Sequence, residues 1–127
     1  MLQANLETSK FQESIMQATE HVKNMGFENI RSRMEGYDDP ATLRMLNEDK
    51  TLMPDITATK NEGKFYFEIA DRTESKDEVA GKWKMMATLA QMKNGDLRIF
   101  VPYGSMKYTS EILEKKAIAA TIIKLPK

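Results

Sequence analysis

The chain has 127 residues, of which 41% are hydrophobic, and its 19 basic side chains balance 19 acidic ones. A chain of this length can bury a sizeable core, so we expect a single domain over residues 1–127. The absence of cysteine excludes disulfides, zinc–thiolate sites and thiol chemistry, and the neutral balance argues against a strongly electrostatic nucleic-acid binder. No segment has the pattern of a secretory signal or a membrane span. We therefore expect a cytoplasmic protein with no membrane partner.

The charge is uneven along the chain. Residues 1–75 carry 9 basic and 14 acidic side chains, whereas residues 76–127 carry 10 basic and 5 acidic ones. Two such halves can form an acidic metal pocket beside a basic flank, and scattered surface charge is the alternative interpretation. The ten methionines indicate adaptable core packing or a contact surface. Together with sheet edges that need cover, they favour a homodimer.

The first predicted element is an amphipathic helix over residues 9–25, with Ser9 as its N-cap and Gly26 as its stop. His21, near the edge of the apolar face, is given no role. One face is defined by apolar residues at helical spacing, namely Phe11, Ile15, Ala18, Val22 and Met25.

A strand is predicted next, over residues 27–34, followed by a turn over 35–40 and an ambiguous helix or loop over 41–50. Residues 52–60 and 64–71 have the alternating pattern of a hairpin. A turn at Glu62-Gly63 would place Ile56 opposite Ile69 and Asp55 opposite Ala70. Glu68 would then lie close to Asp55 on the same face of the hairpin.

The second half of the chain alternates helices and strands. Ser75 begins a helix with a capping box, and Asn94-Gly95 ends it. Residues 97–102 are predicted as a buried strand, a short helix lies within 106–116, and residues 118–125 form the last strand. The order α-β-β-β-α-β-α-β predicts an α/β fold with a mixed sheet flanked by helices, in which the last two strands are parallel.

Asp55 and Glu68 are the candidate site. Two carboxylates at this spacing can hold Mg²⁺ or Mn²⁺, which prefer oxygen ligands. Such an ion can activate water and stabilise the charge that develops on a phosphodiester. The alternative interpretation is that both are ordinary solvent-facing residues of a half-exposed hairpin.

Pro54-Asp55, followed by Glu68 on the next strand, resembles the PD-(D/E)xK nuclease superfamily of restriction endonucleases and Holliday junction resolvases. The resemblance covers most of the chain, since the order of helices and strands agrees with it. It implies a restriction endonuclease-like fold, metal binding by Asp55 and Glu68, and DNA as a partner. In that family a lysine two residues after the glutamate orients or activates the attacking water.

Ala70 stands at the position of that lysine, so the sequence departs from the family pattern. Lys84, or as a weaker candidate Lys82, could supply the amine from the following helix. Arg72 could serve only as a phosphate clamp, because arginine does not give up its proton.

Two further groups of residues are candidates for this site. Many family members have a glutamate on the first helix, for which Glu7, Glu13 and Glu20 are the candidates. Trp83 between Lys82 and Lys84 could stack a base, although its place on an apolar stripe favours core packing.

Two functions therefore compete. One is metal-dependent hydrolysis of DNA by Asp55, Glu68 and Lys84. The other, which we prefer for the activity of the domain, is a non-enzymatic interaction or assembly domain that keeps the fold without the chemistry. Ala70, the neutral charge and the abundant methionine favour it. An unrelated α+β domain with no site is a third interpretation.

Overall fold

The computed structural model describes residues 2–45, 50–71 and 73–126, with side chains described from Lys10 onward. The elements follow in chain order as α1 (Leu2–Asn24), β1 (Glu28–Ser32), β2 (Leu43–Met45), β3 (Lys50–Leu52), β4 (Ile56–Lys60), β5 (Gly63–Ile69), α2 (Lys76–Met92), β6 (Leu97–Val101), α3 (Met106–Lys115) and β7 (Thr121–Lys124). None of the helices in these ranges is long and apolar enough to cross a bilayer.

Five strands form one mixed sheet in the order β1-β4-β5-β6-β7. The pairs β1–β4 and β4–β5 are antiparallel, whereas β5–β6 and β6–β7 are parallel. The predicted α/β class, mixed sheet and element order are confirmed. Five strand ends consequently meet at one end of the sheet: the start of β4 and the ends of β1, β5, β6 and β7.

Helices cover both faces of this sheet. On one face, Ile15 and Val22 of α1 pack with Phe67 and Phe100. On the other face, residues of α2 and α3 pack with Tyr66 and other strand side chains. Because successive side chains of a strand point to opposite faces, β5 contributes to both cores, and each large apolar side chain that is fully buried contributes about 1.5–3 kcal/mol.

The hairpin register differs from the prediction by two residues. Lys60 pairs with Gly63 and Ile56 with Phe67, so the turn residues are Asn61 and Glu62, which have φ of 51° and 68°. Gly63 is instead the first residue of β5, and glycine is required there because a Cβ would stand 2.2 Å from the carbonyl oxygen of Asn94. A shift of two residues preserves the assignment of side chains to faces.

Two other boundaries also differ from those predicted. The first helix begins at Leu2, so Ser9 lies within α1 and is not its N-cap. The strand predicted over residues 52–60 is two strands, β3 and β4, with Pro54 between them, because proline has no N–H to donate to a ladder. β3 pairs with β2 in a small second sheet. Residues 46–49 of the ambiguous segment lie outside the described residues.

Candidate active site

Asp55 and Glu68 lie directly across from each other, where β4 begins and β5 nears its end. Asp55 precedes β4, next to the pair Ile56–Phe67. The Asp55 N–H donates to Glu68 Oε2 at 2.8 Å, and the Ile69 N–H donates to Asp55 Oδ2 at 2.8 Å. Only 5% of Asp55 and 1% of Glu68 is exposed. The interpretation of both as solvent-facing residues is therefore wrong, because α2 covers the face that would have met water.

The second turn of α2 brings two more polar groups to Glu68. Trp83 Nε1 donates to Glu68 Oε1 at 3.3 Å, and Lys82 Nζ lies 3.4 Å from the same oxygen. Trp83 is 1% exposed, so its ring belongs to the core, as its place on the apolar stripe predicts. Its indole N–H also holds the carboxylate in position.

The structure places Lys82, rather than Lys84, beside the two carboxylates. Lys82 Nζ bridges Glu68 and Glu74, at 3.4 and 3.3 Å. Lys84 Nζ instead donates to the carbonyl oxygen of Ala117 at 3.4 Å. Two residues along a helix correspond to a rotation of roughly 200°, so these two side chains leave α2 on nearly opposite sides.

Arg33 contacts Asp55 of the pair, although no motif in the sequence marks this residue. Its backbone N–H donates to the Asp55 carbonyl oxygen at 3.0 Å, and its Nη1 lies 3.0 Å from Asp55 Oδ1. Its guanidinium lies over the Phe11 ring, 5.2 Å from the centroid. The signal in the sequence was its place near the end of the strand predicted over residues 27–34. The observed β1 ends at Ser32, one residue before Arg33, and pairs antiparallel with β4.

The remaining candidates lie as follows. Ala70 is fully buried in the core beneath α2. Arg72 lies outside the described residues, as does the side chain of Glu7. Glu20 is exposed, whereas Glu13 lines a cleft beside the site.

Burial and mutual repulsion shift the titration of the carboxylates. Burial, and then the charge of Asp55, raise the pKa of Glu68 to about 8. Burial also raises the pKa of Asp55, against its hydrogen bond from Ile69 and the nearby cations. Burial alone would lower the pKa of Lys82, but the charges of Glu68, Glu74 and Asp55 outweigh it and raise that pKa. These shifts favour the neutral form of Glu68 beside a charged Lys82.

The pair has the donor chemistry of a magnesium or manganese site. Mg²⁺ commonly takes one or two protein carboxylates and completes its shell with waters and substrate phosphates. Within residues 2–45, 50–71 and 73–126 there is no group of three or more acidic or histidine side chains arranged to hold a metal. Asp55 and Glu68 would thus be the protein ligands, after Glu68 loses its proton.

A cleft of about 590 Å³ lies at the same end of the sheet as the pair, although neither carboxylate lines it. Residues at and after the ends of β5, β6 and β7 line it on one side, and the middle of α1, from Lys10 to Gln17, lines it on the other. Ile69, whose N–H holds the Asp55 carboxylate, is part of its wall. Open α/β sheets place ligands at this position, outside the carboxyl ends of parallel strands.

Comparisons of this chain with protein-family models, curated proteins and solved structures found no match.

Proposed function

We propose that this chain is a nuclease-like domain that binds Mg²⁺ or Mn²⁺ through Asp55 and Glu68 and hydrolyses phosphodiester bonds of DNA. The observation that carries the proposal is the pairing of two buried carboxylates, joined by backbone hydrogen bonds, with the ammonium of Lys82 3.4 Å from Glu68. The element order and the resemblance of Pro54-Asp55 and Glu68 to the PD-(D/E)xK pattern support it.

Each side chain has a defined task in this proposal. A bound divalent ion would supply Lewis-acid stabilisation of the phosphodiester and of the attacking water. Asp55 and Glu68 hold that ion with their carboxylate oxygens. Lys82 takes the role of the family's lysine, whose position in the sequence is occupied by Ala70. The N–H groups of Lys82 orient the water. Arg33, whose side chain is 45% exposed, offers its planar guanidinium to phosphate oxygens.

A matched pair of lysine variants tests this assignment. In a plasmid-cleavage assay with Mg²⁺ or Mn²⁺, we expect Lys82→Met to lower the rate by about 100-fold, a loss typical of removing one positioned hydrogen-bond donor. Lys84→Met should leave the rate unchanged, because its ammonium contacts the carbonyl of Ala117. Equal rates for both variants and the wild type would remove Lys82 from the mechanism.

One specific observation favours the alternative of a non-enzymatic interaction domain. Each carboxylate of the pair already has protein partners, since Asp55 is held by Arg33 and Ile69 and Glu68 by Asp55, Trp83 and Lys82. Such a closed network can serve structure alone, and Ala70 agrees with lost chemistry. This alternative predicts wild-type protein with neither cleavage nor metal binding.

Two further properties belong to the same proposal. We infer a homodimer, because β7 lies at the edge of the sheet and its Ile122 is 36% exposed. Edge strands of this kind are commonly covered by a partner. The proposed place of action is the cytoplasm.

A further inference from the structure

The cleft beside the carboxylate pair carries an inference about the substrate, which rests on the proposed function. Its volume of about 590 Å³ lies within the range of small-molecule sites and is sufficient for one nucleotide. Its wall begins at Ile69 and Ala70, immediately after Glu68 in the chain. Neither carboxylate lines the cleft, but Arg33 links the two sites, because its guanidinium lies over the Phe11 ring of the lining and contacts Asp55.

Aromatic side chains stand at two sides of this cleft. Tyr103, in the loop after β6, lines the cleft and is 71% exposed. Phe11 lines the α1 side, and the guanidinium of Arg33 covers its ring. Exposed aromatic rings stack on bases, because every base has a π-face.

The charges of the lining distinguish a base from a backbone phosphate. Among the described residues, Glu13 and Asp71 contribute two carboxylates to the cleft, against the ammonium of Lys10. This lining repels phosphate, whereas the hydroxyl of Ser14 and the amide of Gln17 can hydrogen-bond to the edge of a neutral base. The cation nearest to the pair, Arg33, lies outside the cleft lining, against Asp55.

We propose that the cleft binds an unpaired nucleobase next to the scissile phosphate, so that the substrate is single-stranded nucleic acid or a duplex with an unpaired end. The base stacks on Tyr103 within the cleft, and its phosphate lies outside, at Arg33 and the carboxylate pair. A base held in a duplex is paired and stacked on its neighbours, and it cannot enter the cleft without first leaving the stack.

The test compares binding of a fluorescein-labelled single-stranded oligonucleotide with that of the blunt duplex of the same sequence, in Ca²⁺ to prevent turnover. We expect the single strand to bind more tightly than the duplex. Tyr103→Ala should weaken binding of the single strand by about tenfold, the size of one stacking contact. Tyr103→Phe should retain binding, because the ring is kept. Met92→Ala is the control, since Met92 is 74% exposed at the far end of α2.

Two results would overturn the inference. One is equal affinity for the single strand and the duplex, and the other is unchanged affinity in Tyr103→Ala. Either result, in a protein that still binds Mn²⁺ and cleaves plasmid DNA, refutes the base site and leaves the proposed function standing. Absence of binding to both oligonucleotides overturns the inference as well, and if Mn²⁺ binding is also absent it refutes the proposed function.

Discussion

Glu68 is the residue whose protonation links the stability of the fold to its chemistry. Its pKa is about 8 in the folded protein, against an ordinary value of 4.5. Between these two pH values the folded chain holds a proton that the unfolded chain has released. The free energy of unfolding therefore falls as the pH rises through this window. Metal binding has the opposite dependence, because the ligand form is the carboxylate.

Glu68→Gln tests this linkage. The amide cannot titrate, so the decline in unfolding free energy between about pH 4.5 and 8 should become smaller by an amount on the order of a few kcal/mol. Urea denaturation at several pH values, on the variant and the wild type, provides the measurement. Two parallel stability curves would show that Glu68 does not retain its proton in the folded state.

At the scale of the elements, the alternating pattern of the two hairpin strands is enough to place Asp55 and Glu68 on one face. The position of the turn was not predictable from the pattern, because glycine is typical both of turns and of strand positions that another backbone approaches closely. Gly63 resembles a turn residue, but it lies in β5, where glycine is needed because Asn94 of the α2–β6 connection passes against it. Such a contact between segments distant in sequence leaves no local signal.

The same substitution at two glycines should have opposite effects. A Cβ on Gly95 would stand 1.7 Å from the carbonyl oxygen of Lys64, whereas one on Gly81 has nothing within 4 Å. We expect Gly95→Ala to lower the unfolding free energy by about 2 kcal/mol or more. Gly81→Ala, within α2, should raise it by roughly 0.5–1 kcal/mol. Thermal or urea unfolding measures both, and a stable Gly95→Ala variant would contradict the close approach of this loop to β5.

Across the whole molecule, the sequence predicted the mixed sheet and the carboxylate pair but not the cations around it. Choosing Lys82 over Lys84 requires the rotation of α2 about its axis relative to the sheet, which depends on how Trp83 packs. Arg33 reaches Asp55 because β1 pairs directly with β4, although β2 and β3 lie between these two strands in the sequence. Charge counts in the two halves of the chain carry no information about this contact.

The central claim is that Asp55 and Glu68 together hold a divalent cation, and calorimetric titration with Mn²⁺ tests it most directly. We expect saturable binding by the wild type, with an affinity that rises as the pH approaches about 8, where Glu68 ionises. Asp55→Asn and Glu68→Gln should abolish it, and Asp77→Asn, at an exposed ion pair with Lys115, should not. No saturable binding to folded wild-type protein at millimolar Mn²⁺, or binding that survives in both site variants, would contradict the claim.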